Sequence, residues 1–189
     1  MTTPATYNEI WEKGFYREGS CSKRMIPTML NYIPSGSTIN DYGSGTGRAE
    51  VDMMALNKGF KINMVDFADV ALEPEARALI GPNLTYTIAP LEALPEDFPV
   101  ADWGICIGVL MVVDPAKLSV ILSEIRRTCR NLFVEVYDTP DVRLGEDRTL
   151  IKGDAAWWAN KLREHWPYVE SVRSPEHPRR YITICKSQQ

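Results

Sequence analysis

The stretch Asp41-Tyr42-Gly43-Ser44-Gly45-Thr46-Gly47 decides how this chain is read. Three glycines at alternate positions let a backbone turn tightly and come close to a ligand. The segment Ser37 to Asp41 leads in as a strand, and a helix is expected from about Gly47 to Lys58, with Val51, Met54 and Ala55 as its apolar face and Gly59 as its stop. The dinucleotide fingerprint G-x-G-x-x-G is the nearest rival. Gly43 and Gly45 fit its first two positions, but the third falls on Arg48. Asp41 would also set a negative charge beside a pyrophosphate, whereas a ligand carrying an ammonium or sulfonium would be attracted by it. Asp66 closes the next strand, 19 residues after Gly47. An acid there can accept both hydroxyls of a ribose. Asp41, the glycines and Asp66 together specify a nucleoside with a cationic tail and no diphosphate.

S-adenosylmethionine (SAM) is such a molecule, and the residues resemble the class I SAM-dependent methyltransferases, most of all the small single-domain group related to quinone-biosynthesis methyltransferases. Asp41 to Gly47 matches that family's first motif, an acid followed by x-G-x-G-x-G. Asp66 matches its second. Gly108 to Pro115, followed by Leu118, Leu122, Glu124 and Arg126, resembles its fourth strand and the helix after it. The resemblance covers about residues 37–136. It implies that Asp41, Gly43, Ser44, Gly45, Gly47, Asp66, Phe67 and Gly108 bind SAM, with S-adenosylhomocysteine as the product. It further implies that the aromatic-rich N-terminal stretch of Tyr7, Trp11, Tyr16 and Arg17 lids the cofactor. Two positions depart from the family. Pro90 stands where an acid contacts the adenine amine, so Glu92 or the backbone amide of Leu91 is expected to serve instead. Val112 stands where the family often has a histidine.

Working outward, strands alternate with helices. Lys61 to Asp66 and Leu84 to Ile88 read as strands, with a short helix from Pro74 to Ile80 between them. Trp103 to Gly108 is apolar without alternation, as in a strand covered on both faces. Asp114 caps a helix running to about Thr128, with Pro115 in its first turn. Asn131 to Tyr137 is a strand and Asp154 to Trp166 a helix. Tyr168 to Arg173 and Arg180 to Lys186 form a hairpin. Such alternation implies βαβ crossovers, while the closing hairpin must be antiparallel. The expected fold is therefore α/β: a Rossmann-like, doubly wound, seven-stranded mixed sheet, mostly parallel with one antiparallel strand near the C-terminus. Residues 1–189 are expected to form one domain, with 1–36 as an N-terminal lid and 37–189 as the core.

Composition narrows the function. The chain has 189 residues, 44% hydrophobic and 24% charged, which excludes disorder as its main state. The longest apolar run, Trp103 to Val113, has eleven residues where a membrane span needs about 20. No secretory signal is read at the N-terminus, and Cys21, Cys106, Cys129 and Cys185 make no CxxC pair, so no metal site is expected and a cytoplasmic location is.

The net charge is −4, and residues 37–138 hold 8 basic against 15 acidic side chains. No continuous basic stripe is present to offset phosphates. A nucleic-acid amino-methyltransferase motif and a Pro-Cys nucleophile are both missing. The reading is thus a methyltransferase acting on a small acceptor, an anionic one where the hairpin arginines bind it. A nucleic-acid or protein methyltransferase, or a SAM-binding protein with other chemistry, is the alternative. His177, flanked by Arg173, Arg179 and Arg180 in the last hairpin turn, is the candidate base. Glu135 and Asp138, at the end of the fifth strand, are the other candidate acceptor contacts. His165, ending a helix beside Trp166, suits that helix terminus as a cation. Of Trp157 and Trp158, one is expected in the core and the other at the acceptor pocket.

Overall fold

The computed structural model describes residues 8–9, 11–12, 22–138, 148–174 and 179–188. Seven strands form one sheet in the order β3-β2-β1-β4-β5-β7-β6. They are β1 (Thr38–Tyr42), β2 (Lys61–Asp66), β3 (Leu84–Ile88), β4 (Ala101–Ile107), β5 (Cys129–Tyr137), β6 (Tyr168–Arg173) and β7 (Arg180–Lys186). The first five pair in parallel. β7 runs antiparallel to both β5 and β6, between which it is inserted. The mixed sheet expected from the sequence is the one observed.

The helices are α1 (Ser22–Met29), α2 (Arg48–Ala55), α3 (Pro74–Ala78), α4 (Leu118–Thr128) and α5 (Ala155–Arg163). They cover the two sheet faces with separate apolar clusters. Ile39, Ile105 and Phe133 face Met25 and Met29 of α1 and Met53 of α2. Tyr42, Cys106 and Val134 face Leu122 of α4 and Trp158 of α5. The alternation along each strand sets which residues turn to which helices. At the middle of the sheet, buried Asn40 donates to the carbonyls of Pro99 and Thr128 at 2.8 and 2.7 Å and accepts from Asn63 at 2.8 Å. These bonds fix β1, which carries the glycine loop, against β2 and the start of β5.

Two boundaries differ from the sequence expectation for a physical reason. α2 stops at Ala55, ahead of Gly59, because Asn57 already adopts the left-handed conformation (φ 52°), which asparagine tolerates better than most residues. The segment after Asp114 opens as a 3-10 turn, Pro115–Lys117, before α4 proper; the Asp114 side chain accepts from the Ala116 amide as the cap. α2 also turns a different face inward. Ala49, Glu50 and Met53 are buried, while Val51 and Met54 are half-buried and Ala55 is exposed. Among the described residues, no helix is long and apolar enough to cross a membrane.

Candidate functional site

The glycine loop joins β1 to α2 at the carboxyl ends of the parallel strands, the edge where ligands bind in open α/β sheets. Gly43, Gly45 and Gly47 all have positive φ, at 80°, 55° and 71°. The amides of Gly43 and Ser44 donate to the Val65 carbonyl, so β2 holds the start of the loop. The three glycines differ in what surrounds them. A side-chain carbon on Gly43 would lie 2.5 Å from Val109, and one on Gly47 2.6 Å from Ala76 and 2.7 Å from Leu72. At Gly45 it would meet only the rim of the Trp11 indole, at 3.0 to 3.1 Å.

Asp66, at the end of β2, points back at this loop. One carboxylate oxygen accepts from the Gly45 amide and the other from the Ala68 amide, both at 2.9 Å. Burial raises its pKa, against the lowering effect of these amides. The Phe67 amide also acts on this carboxylate, which with about four acceptor positions still has capacity for a ligand. Phe67, half-buried, follows it. Trp11, itself buried, packs on Ala68, Val70 and Ala71 and lies over Gly45, so its ring spans the loop and the turn after Asp66.

Asp41 sits at 3% exposure on β1, aligned with Met64 of β2 and Ile105 of β4. Ser44 is buried, and its hydroxyl has no hydrogen-bond partner. Such a group normally has one, from protein, water or a ligand. Gly108 leaves β4 with φ 72°, and its amide donates to the Glu135 carbonyl. Leu91 is buried beyond β3, in the turn that follows Ala89, whose amide reaches the Asp66 carbonyl.

The acidic candidates are engaged with basic side chains. Glu92 pairs with Lys117 at 2.6 Å. Partial burial works to raise its pKa, but the Lys117 hydrogen bond and charge outweigh it and hold the carboxyl below its ordinary value. Glu92→Gln is expected to leave SAM affinity within about twofold of the parent, since an exposed pair contributes little. Titration calorimetry checks this, and a loss of about tenfold or more would give Glu92 the adenine contact after all. Fully buried Glu135 faces Arg180 at 3.5 Å, and the Arg180 guanidinium lies 5.6 Å from the centre of the Tyr137 ring. Asp138 pairs with Arg179 at 2.8 Å and accepts from the Tyr181 hydroxyl at 3.0 Å.

Tyr7, Tyr16, Arg17 and His177 lie outside the described residues. His165 follows α5, and burial pushes its pKa down, against Glu164 and with Arg126 and Lys161. Trp158 is in the core. Trp157 lines a groove of about 360 Å³ with Leu118 and Leu122, on the α4 and α5 side of the sheet. The sequence reading missed Glu50, which is completely buried on α2 with its carboxyl against that of Asp41. Helical periodicity places a glutamate on the solvent side, so no pattern signal marks it.

No protein-family profile matches the chain. No curated protein matches it by sequence either. Solved structures do match. The apo SAM-dependent methyltransferase SibL superposes with a TM-score of 0.69 at 16% identity, over 93% of this chain and 58% of its own. Human N-acetylserotonin methyltransferase in complex with SAM gives 0.68 at 15%, over 99% and 57%. The 1,6-didemethyltoxoflavin-N1-methyltransferase of Burkholderia thailandensis, with S-adenosylhomocysteine bound, gives 0.66 at 16%, over 97% and 89%. This chain therefore spans less than three fifths of the first two. The fold is that of the class I SAM-dependent methyltransferases.

Proposed function

We propose that the protein is a SAM-dependent methyltransferase whose acceptor is a small molecule. The observation that carries the reading is the Asp66 carboxylate, which orders the glycine loop through Gly45 while keeping acceptor positions for a ribose. The orphaned Ser44 hydroxyl and the side-chain-free backbone at Gly45, with Trp11 over it, fit the same cofactor. When bound, SAM supplies a methyl group on an electrophilic sulfonium sulfur. The chain's residues contribute binding and orientation. Asp66 fixes the nucleoside end, Asp41 places negative charge under the cationic end, and Gly108 leaves room at the tip of β4. Holding two reactants at attack distance can lower the barrier by roughly 7–11 kcal/mol, so orientation alone is a large part of such catalysis.

Small-molecule chemistry is supported by two of the structural neighbours, whose names give N-acetylserotonin and 1,6-didemethyltoxoflavin as acceptors. It is also supported by the excess of acids over bases across residues 37–138. An anionic acceptor loses its main argument, because Arg179 and Arg180 already face Asp138 and Glu135. Calorimetry with SAM, S-adenosylhomocysteine and NAD tests the cofactor; the first two are expected to bind and NAD is not. Incubation of methyl-labelled SAM with fractionated cell extract then tests the acceptor. Label is expected in the small-molecule fraction, and label confined to nucleic acid or protein would overturn that class.

A further inference from the structure

The fold spends a buried position on Glu50 when Val51 and Met54 of the same helix stand only half-buried beside it. Glu50 has no exposed surface, and neither carboxyl oxygen has a well-formed hydrogen bond. A carboxyl is not normally taken out of water in this way without compensation. It lies against the Asp41 carboxyl, and in the loop that follows β1 the Ser44 hydroxyl is also buried without a partner. Two acids thus meet where β1 and α2 are joined by the glycine loop, and a group with a positive charge and hydrogen-bond donors would satisfy the Glu50 carboxyl.

We propose that Glu50 is a positioning residue for the cationic amino-acid end of the cofactor, holding the Asp41 carboxyl in place and completing a two-carboxyl receptor for its α-ammonium. This rests on the SAM reading above and adds to it a residue and a proton. Without a cation the pair retains one proton, because burial disfavours two adjacent carboxylates. Burial is also the largest effect on Glu50, raising its pKa against the Asp41 hydrogen bond, with Asp52 adding a further rise. An arriving ammonium takes the place of that proton, which leaves to solvent. Cofactor affinity therefore rises with pH through the range in which the ligand-free pair titrates, and levels off above it.

The other charged groups around the pair are accounted for. On α2, Asp52 is paired with Lys23 of α1 at 2.8 Å, and Arg48 with Glu73 at 2.7 Å. Arg24 of α1 is exposed. On β4, the buried Cys106 thiol is held protonated by burial and by Asp41. On β5 and β7, Glu135 faces Arg180.

The test uses Glu50→Gln, which keeps the shape and removes the charge. Two ligands are titrated calorimetrically between about pH 5 and 7, below the ionisation of the ligand's own α-amino group, in buffers of different ionisation enthalpy. One is S-adenosylhomocysteine, which carries the ammonium. The other is methylthioadenosine, which lacks the amino-acid end. The parent is expected to release up to one proton on binding the first and none on binding the second. Glu50→Gln is expected to abolish that release. It should also weaken S-adenosylhomocysteine about tenfold or more at the upper pH, with the gap closing as pH falls, and leave methylthioadenosine unchanged. Equal weakening of both ligands would make Glu50 a support of the loop and overturn the proposal. Unchanged affinity and proton release in Glu50→Gln would overturn it while the cofactor reading stands. Failure of the parent to bind either ligand would instead bring down the cofactor reading itself.

Discussion

Asp66→Ala is expected to weaken SAM binding by about thirtyfold to a thousandfold, the range set by losing charge-assisted hydrogen bonds worth on the order of 2–4 kcal/mol together. The effect has two sources. The ribose loses its acceptors, and the Gly45 and Ala68 amides lose the carboxylate to which both now donate. The loop that should cradle the ligand is loosened at the same time as the contact is removed. Stability is expected to fall only moderately, because Gly43 and Ser44 remain tied to the Val65 carbonyl and the Asp66 carboxylate is itself held at an unfavourable, buried position. Calorimetry with SAM, beside a thermal melt, separates the two. Parent-like affinity in a folded Asp66→Ala protein would place the ribose elsewhere.

Much of this architecture was legible in the sequence, because strand and helix periodicities survive wherever one residue type dominates a face. The Lys61 to Asp66 and Leu84 to Ile88 strands, the apolar Trp103 run and the closing hairpin all carry strong local patterns, and the structure places strands there. The glycine loop and Asp66 were legible because spacing between a strand, a turn and the next strand end is itself a local signal. What escaped depends on partners distant in sequence. Arg179 and Arg180 look like free anion ligands until the β5–β7 register sets Asp138 and Glu135 beside them. Nothing in the local pattern marks Glu50 for burial, yet tertiary packing turned α2 so that it faces β1. The Trp11 ring lies over Gly45 through a contact with a partner 34 positions away in the chain, and no periodicity encodes that. Local rules therefore located the glycine loop and Asp66, and long-range packing set Glu50 against Asp41.

The glycines of the loop are expected to separate into one that serves the ligand and one that serves the fold. Both Gly45 and Gly47 hold positive φ, which costs an alanine about 1–2 kcal/mol. At Gly45 that is the larger part of the penalty, since a methyl group meets only the rim of the buried Trp11 ring, at 3.0 to 3.1 Å. At Gly47 the methyl would sit 2.6 Å from the side chain of Ala76, which is fully buried on α3 and has no rotamer to change, and 2.7 Å from Leu72. Overpacking of this kind adds roughly 1–3 kcal/mol. At about 2–4 °C per kcal/mol for a chain of this size, Gly47→Ala should lower the melting temperature about twice as far as Gly45→Ala. The ligand response should run the other way. Gly45 donates its amide to Asp66 and, in the function proposed above, lends bare backbone to the cofactor, so Gly45→Ala should lose most of the melting shift induced by S-adenosylhomocysteine. Gly47→Ala, starting from a lower melting temperature, should keep that shift, because its α-carbon faces α3 rather than the ligand. Thermal melts of both proteins with and without S-adenosylhomocysteine make the comparison. A Gly45→Ala protein that retains the full shift would remove the loop from the binding surface and leave all three glycines as folding residues.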